Sequence, residues 1–240
     1  MSKDGTTYRV YDKTNLLLDN KVNALYLDNS NNLWVALDQS LSKIEFNSPF
    51  TFYNDKDGIS GTISAITKFE NKIYVCTTLG VFCYDGNLKR TDQFYENKFK
   101  QLSLKAECFS FLKAKFKGKE RLFVVSQKGL YEIKDLGLDL VLEDFCFTAF
   151  QSTTNENRLY VGLKNGVAAL TLNGASWETE KKKKNIMNEI TTIAEDEKGN
   201  IWLGAKQDGI YRIDANKKKN FSTADGATLF TLYDTVSGLP

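Results

Sequence analysis

Apolar residues along this chain come in short blocks of five to seven, alternating or continuous, each bounded by Asp, Asn, Gly or Lys. No segment keeps the i, i+3, i+4, i+7 stripe of an amphipathic helix for three turns, so the pattern predicts strands. The blocks also recur as a set. The clearest set runs Ile190 to Ala194, a polar turn Glu195 to Asn200, an aromatic-centred block Ile201 to Ala205, then Gly209 to Asp214. Four earlier sets repeat that order. They are Val22–Asp28 with Leu33–Leu37 and Leu41–Glu45; Ile63–Phe69 with Ile73–Thr77 and Gly80–Asp85; Cys108–Phe116 with Leu122–Ser126 and Gly129–Ile133; and Phe145–Gln151 with Leu159–Leu163 and Gly166–Leu170.

Each second block centres on one large ring: Trp34, Tyr74, Phe123, Tyr160 and Trp202, spaced 40, 49, 37 and 42 residues apart by their numbers. Four-stranded propeller repeats run about 40–45 residues. The fold expected is therefore an all-β β-propeller of about five four-stranded antiparallel blades, with repeats near 15–54, 55–105, 106–143, 144–180 and 185–234 in a single domain spanning 1–240. A fourth strand is written more weakly, at Phe50–Tyr53, Leu138–Leu142 and Leu229–Asp234. The long spacing places an insertion at Leu88–Lys105, a polar connection.

Physical roles follow from position. The rings are expected to fill the space between adjacent blades, each burying a large apolar area. Gly80, Gly129, Gly166 and Gly209 open the third strands, where glycine suggests positive φ or a close backbone approach. The first repeat has Ser40-Leu41 there and a looser turn. Asp28 and Asp196 start turns, because their carboxylates can bond the backbone further along.

Composition narrows the function. With 32 basic and 30 acidic residues the net charge is +2, which gives no electrostatic case for nucleic acid. The lysine runs 181–184 and 217–219 sit between strand blocks and are expected to be solvated loops. The chain has no histidine, which excludes Ser-His and Cys-His nucleophiles within it. Cys76, Cys83, Cys108 and Cys146 match no zinc or redox spacing and sit in apolar blocks, as small buried hydrophobes would. No catalytic residue, metal site or cofactor is expected. Asp28–Asn32 and Asp55–Gly58 have an oxygen-rich flavour but lack the Gly and Glu positions of a calcium loop. Glu143-Asp144 and Glu195-Asp196 are carboxylate pairs by type, but strand neighbours point to opposite faces, so turn or surface roles are expected. Trp177 lies outside the ring series and is expected to pack in a fourth strand. No apolar stretch reaches the length of a spanning helix, so contact with a membrane would come only through segments outside this chain.

The two outer repeats carry a family resemblance. Val22-x-x-Leu25-x-x-Asp28-x-x-x-Asn32-Leu33-Trp34-Val35 and Ile190-x-x-Ile193-x-x-Asp196-x-x-Gly199-Asn200-Ile201-Trp202-Leu203-Gly204 resemble the two-component regulator propeller repeat. Phe230–Pro240 is similar to that family's linker between blades, and Tyr8–Asp12 echoes it. The match fades in the three middle repeats, where Trp becomes Tyr74, Phe123 and Tyr160. The resemblance implies an extracytoplasmic, periplasmic sensor region of a bacterial hybrid histidine kinase. It also implies a small-molecule or oligosaccharide ligand, and a homodimer or interaction scaffold as the alternative role. Such propellers usually close with seven blades, so this chain is expected to be part of a larger array. By analogy with propellers in general, loop residues ahead of the inner strands, Asn20-Lys21, Ser60-Gly61 and Asn188-Glu189, would face a ligand.

Overall fold

The computed structural model describes residues 11–13, 17–45, 53–85, 98–135, 137–180, 186, 188–216 and 230–237. Among the described residues, nineteen strands form five antiparallel sheets, each a meander in chain order. Blade 1 has β1 (Val22–Leu27), β2 (Asn32–Leu37) and β3 (Leu41–Glu45). Blade 2 has β4 (Ile63–Phe69), β5 (Lys72–Thr77), β6 (Gly80–Asp85) and β7 (Phe99–Gln101). Blade 3 has β8 (Cys108–Phe116), β9 (Lys119–Ser126), β10 (Gly129–Lys134) and β11 (Gly137–Leu142). Blade 4 has β12 (Cys146–Gln151), β13 (Arg158–Leu163), β14 (Gly166–Asn173) and β15 (Ser176–Thr179). Blade 5 has β16 (Ile190–Glu195), β17 (Ile201–Ala205), β18 (Gly209–Ile213) and β19 (Phe230–Tyr233). The fourth strand expected at Phe50–Tyr53 lies almost wholly outside the described residues, as do both lysine runs and most of Tyr8–Asp12. The stretch expected to be an inserted connection holds the fourth strand of blade 2, β7, paired to β6 from Phe82↔Gln101 to Tyr84↔Phe99.

Blade 1 belongs to one compact unit and blades 2–5 to another. In the larger unit the first strands of successive blades adjoin, β4 with β8, β8 with β12 and β12 with β16. They are the inner strands, and each gap between blades holds a continuous apolar cluster. Blades 2 and 3 share Tyr74, Cys76, Val81, Leu122 and Val124. Blades 3 and 4 share Phe116, Phe123, Leu130, Leu159 and Leu170. Blades 4 and 5 share Tyr160, Ala169, Ile190, Leu203 and Tyr211. A single sheet has two faces to bury, and stacking supplies the cover. In blade 1 the core is small: Leu17, Val35, Leu37 and Ile44.

Three of the five rings lie in the gaps between blades of the larger unit. Tyr74, Phe123 and Tyr160 are buried, at most 2% exposed. Trp34 and Trp202 are half-buried. Trp202 lies on the face of blade 5 turned away from blade 4, where it stacks on Tyr233 of its own blade at 5.6 Å, and Arg212 sits over its ring. Its indole bonds the aspartate of the turn before it. Trp177 packs in fourth strand β15 against Phe116 and Phe123, as its position suggested.

The third-strand glycines do adopt positive φ, +140° at Gly80 and +155° at Gly129. The reason at these two is a close approach. A Cβ at Gly80 would lie 2.3 Å from the Leu104 carbonyl oxygen, and one at Gly129 2.4 Å from that of Leu142. In both blades a buried hydroxyl closes the preceding turn: Thr77 Oγ1 donates to the Gly80 carbonyl and Ser126 Oγ to that of Gly129. All four cysteines are buried free thiols.

Candidate functional site

The inner strands share one irregularity. In every blade the first-to-second strand register skips a residue at the same place. Val22 pairs with Leu37 but Ala24 with Ala36; Ile63 pairs with Thr77 but Ala65 with Cys76. Cys108 pairs with Ser126 but Ser110 with Val125; Cys146 pairs with Leu163 but Thr148 with Gly162. In blade 5, Ile190 pairs with Ala205 but Thr192 with Gly204. The residues left out of the ladder are Asn23, Ser64, Phe109, Phe147 and Thr191. A bulge bends the strand and re-aims a side chain, and bulges are over-represented beside active sites. The backbone frame is constant from blade to blade while the side chain at the bulge is not.

One backbone bond per blade supports this end of the larger unit. The turn after each second strand donates an N–H to the carbonyl just ahead of the inner strand: Thr78 to Thr62, Gln127 to Glu107, Lys164 to Phe145 and Lys206 to Glu189. The pre-strand loops proposed from the sequence are thereby tied to those turns. Glu189 also forms an ion pair with Lys206 at 2.8 Å. In blade 1 the same pairing recurs with reversed polarity, Lys21 to Asp38 at 2.8 Å. Ser60 instead lines a concavity of about 650 Å³ on blade 2, together with Asp55, Leu79, Phe82, Phe99 and Gln101.

In blades 3 and 4 the bulge residues are aromatic. Phe109 and Phe147 lie 5.4 Å apart, and Phe145, just ahead of β12, is 4.8 Å from Phe147 and 5.8 Å from Phe109. All three rings are half-buried, and the Lys164 ammonium sits 5.6 Å over the face of Phe145. Ser64 and Thr191 flank the rings in blades 2 and 5. Ser64 Oγ donates to the Cys108 carbonyl at 2.6 Å, joining two inner strands. Phe109 and Phe147 escape a strand-pattern reading because a bulge inserts one residue that alternation does not register. The Cys-Phe pair opening both β8 and β12 is the signal that could have found them.

At the opposite ends of the inner strands sit two links between blades. Gln151 takes the Lys115 N–H on Oε1 and donates from Nε2 to the Lys115 carbonyl. At the equivalent position in the next blade, Glu195 accepts from the hydroxyls of Ser152, Thr153 and Thr154 and from the Thr153 N–H, all at 2.9 Å or less. Glu195 is therefore a clamp and not half of a catalytic pair. Asp144 caps the Phe145 N–H at 2.8 Å.

The aspartate turns are built alike. Asp196 accepts from the Trp202 indole at 2.9 Å, the Asn200 amide at 2.9 Å and the Asn200 N–H at 2.8 Å. Asp28 accepts the matching three from Trp34 and Asn32, and one more from the Ser30 N–H. The indole and amide donors hold the Asp196 carboxyl down at about 2. The Asn32 N–H and then the Trp34 indole do the same for Asp28, also to about 2. Donors to the ionised form favour it. Among the described residues no group of three or more His, Cys, Asp or Glu converges to hold a metal ion. The Cys108 thiol beside it, with burial, pushes the Cys76 thiol far above its ordinary range, so it is not a nucleophile. No helix among the described residues is long and apolar enough to cross a membrane.

These features can be set beside known proteins. The two component regulator propeller family matches residues 16–39 and 186–207, the stretches that contain the two aspartate turns. No curated protein sequence matches the chain. Among solved structures, the extracellular domain of a hybrid two-component system from B. thetaiotaomicron superposes with a TM-score of 0.62 at 15% identity, covering 93% of this chain and 30% of that one. The extracellular domain of a one-component system from the same organism gives 0.58 at 11% identity, covering 98% and 34%. The chain thus spans about a third of the length of these structures, and the likeness is one of fold. With the strand order and stacked blades described above, the chain is a β-propeller array whose first and last blades match the two-component regulator propeller repeat over residues 16–39 and 186–207.

Proposed function

We propose that this chain is a ligand-sensing propeller module of a two-component regulator, working by binding outside the cytoplasm, in the periplasm, and recognising carbohydrate. The observation that carries the reading is the bulge series. One frame, repeated in five blades, presents Asn23, Ser64, Phe109, Phe147 and Thr191 from equivalent positions. Variable side chains on a constant backbone suit recognition, whereas a purely structural position would be filled alike in each blade. The family repeats at both ends of the array and the extracellular propellers of similar fold support the signalling context. With no histidine in the chain and Glu195 and Asp196 occupied in clamping and capping, the reading is of a binder and not an enzyme.

Thermal melting against a panel of oligosaccharides tests it. A ligand that binds only the folded state stabilises by RT ln(1 + [L]/Kd), about 2.7 kcal/mol at a hundredfold excess over Kd. A shift with one sugar class supports the reading, and a flat panel with a cooperative melt contradicts it.

One observation favours a second role, as a homodimer or interaction scaffold. Strand β1 exposes Leu25 and Leu27 on one face, at 63% and 54%, and Tyr26 on the other, at 65%, and exposed apolar side chains of this size are a feature of interaction surfaces. Sedimentation velocity over a hundredfold concentration range separates the two, since a self-associating scaffold shifts to a larger species and a monomeric sensor does not.

A further inference from the structure

Two of the buried cysteines meet in one gap. Cys76 lies on β5 and Cys108 opens β8, and both are fully buried in the apolar cluster shared by blades 2 and 3. Cys76 turns into that gap because its neighbour Val75 turns to the opposite face, into a separate cluster with Phe82 and Phe99. Cys108 turns there because the bulge at Phe109 inserts one residue, so that Cys108 and Phe111 share a face. The Cys76 Sγ reaches the Ser110 carbonyl oxygen at 3.8 Å. The Ser64 hydroxyl ties β4 to the Cys108 carbonyl at 2.6 Å, and the two thiols are in hydrogen-bond contact. The repeat shows the same approach two blades on. Gly162 stands on β13 where Cys76 stands on β5, and Ile190 opens β16 where Cys108 opens β8. A Cβ at Gly162 would lie 2.3 Å from the Ile190 carbonyl oxygen and 3.0 Å from its Cγ2. At this pair of positions a second strand comes close to the inner strand of the next blade.

We infer that Cys76 and Cys108 are an oxidation site, a dithiol that closes to a disulfide and staples blade 2 to blade 3. The reaction is thiol–disulfide exchange with a small-molecule or protein disulfide, R–S–S–R. One cysteine thiolate attacks the oxidant, a mixed disulfide forms and one R–SH leaves. The second cysteine then attacks the mixed disulfide and releases the other R–SH, so the pair gives up two electrons and two protons and the oxidant takes them. In the closed gap this exchange is blocked twice over. Neither residue is exposed, and contact with the Cys108 thiol, with burial, keeps the Cys76 thiol protonated, whereas the thiolate is the attacking form. The bond is therefore set while the chain folds, before blades 2 and 3 close, and is shielded from reductants afterwards. It encloses residues 77–107, and so removes freedom from the unfolded chain over a loop that includes β6 and β7. Of the other two cysteines, Cys83 lies on the third strand β6 and Cys146 in the next gap. The occurrence of the bond in the cell rests on the extracytoplasmic setting proposed above, since disulfides persist in oxidising compartments; the pairing itself does not.

The experiment uses the whole chain without ligand. Reduced, denatured protein is refolded in a mixture of reduced and oxidised glutathione. Free thiols are then alkylated, and peptides are mapped by mass spectrometry without reduction. The expected result is one disulfide, joining the peptide that carries Cys76 to the peptide that carries Cys108, with Cys83 and Cys146 alkylated. The oxidised protein is expected to melt about 5–10 °C above the same protein refolded and held in reductant. Cys76→Ala and Cys108→Ala are each expected to abolish that difference, and Cys83→Ala with Cys146→Ala to keep it. The peptide map of the parent decides the pairing even where an alanine variant fails to fold. Alkylation of all four cysteines after refolding overturns the proposal, and so does a disulfide through Cys83 or Cys146. A Cys76–Cys108 link with equal melting temperatures in the two states overturns the staple. None of these results bears on ligand binding, so the sensing role stands or falls separately, on the oligosaccharide panel.

Discussion

The outer blades 1 and 5 and the middle blades 2 to 4 solve one problem by different means. Each must hold a large ring in its second strand. The outer blades hold Trp34 and Trp202 with a local device, an aspartate that accepts the indole N–H and staples the turn before it. In both outer blades the ring is half-buried. Blades 2 to 4 have no such aspartate. Positive φ is common to both kinds of turn, at Asn31 and Gly199 in the outer blades and at Glu70-Asn71 and Lys117-Gly118 in blades 2 and 3; in blades 2 to 4 the rings sink into the gap shared with the next blade. The family repeat is most legible where the indole–aspartate bond is present and fades where a buried ring without that bond takes the position. Packing tolerates a change of ring far better than a hydrogen bond tolerates loss of its donor.

That contrast can be broken most forcefully at Phe123. Phe123→Ala removes a fully buried ring from the gap between blades 3 and 4 and is expected to cost about 3–5 kcal/mol in urea unfolding. Trp202→Ala, at a half-buried ring, is expected to cost clearly less, and equal losses would remove the distinction drawn here. Next comes the clamp between blades 4 and 5. Glu195→Ala deprives Ser152, Thr153 and Thr154 of their shared acceptor. It is expected to cost about 1.5–3 kcal/mol, the range for hydrogen bonds to a charged group.

The glycines sharpen the comparison further. Gly129→Ala forces a methyl against the Leu142 carbonyl and is expected to cost about 1–3 kcal/mol. Gly118→Ala meets nothing within 4 Å at φ +80° and should cost about 1 kcal/mol, from backbone conformation alone. Reversal of that order in thermal melts would mean that the close approach between strands is not a constraint.

The aspartate turns give the smallest and most specific signal. Both carboxyls titrate near 2 when folded, below the ordinary value of about 3.9. A depressed folded value adds stability that is fully present above the unfolded pKa and is lost as pH falls through the folded one. Melting temperature should therefore decline between about pH 4 and pH 2, and Asp28→Asn with Asp196→Asn should flatten that decline. Tryptophan fluorescence should report the same window, because Trp34 and Trp202 lose their acceptor while Trp177, packed among Phe116 and Phe123, does not depend on one.

How far the sequence could be read follows from the same physics. Strand blocks, the five rings and the third-strand glycines are all visible, because burial on a pleated surface imposes alternation and tight turns demand glycine. Strand β7 was hidden. Phe99-Lys100-Gln101 is three residues long with one buried side chain, too little to stand out in a charged connection. The candidate site was the least legible part. The shared Cys-Phe opening of Cys108-Phe109-Ser110 and Cys146-Phe147-Thr148 marks the two positions as equivalent but does not show that the middle residue leaves the ladder. That fact emerges only when pairing with β9 and β13 is known. The loops chosen by analogy, around Ser60 and Glu189, lie near inner-strand starts, but their contacts are with the following turns or the blade 2 concavity.

Hydrogen exchange with mass-spectrometric readout, with and without a saturating oligosaccharide that raises the melting temperature, tests the central claim most directly. The account predicts new protection in peptides covering Phe109 and Phe145–Phe147, with the aspartate turns at residues 28–34 and 196–202 unchanged. Protection confined to the turns or to the blade 2 concavity, with the bulge peptides unaffected, would contradict it.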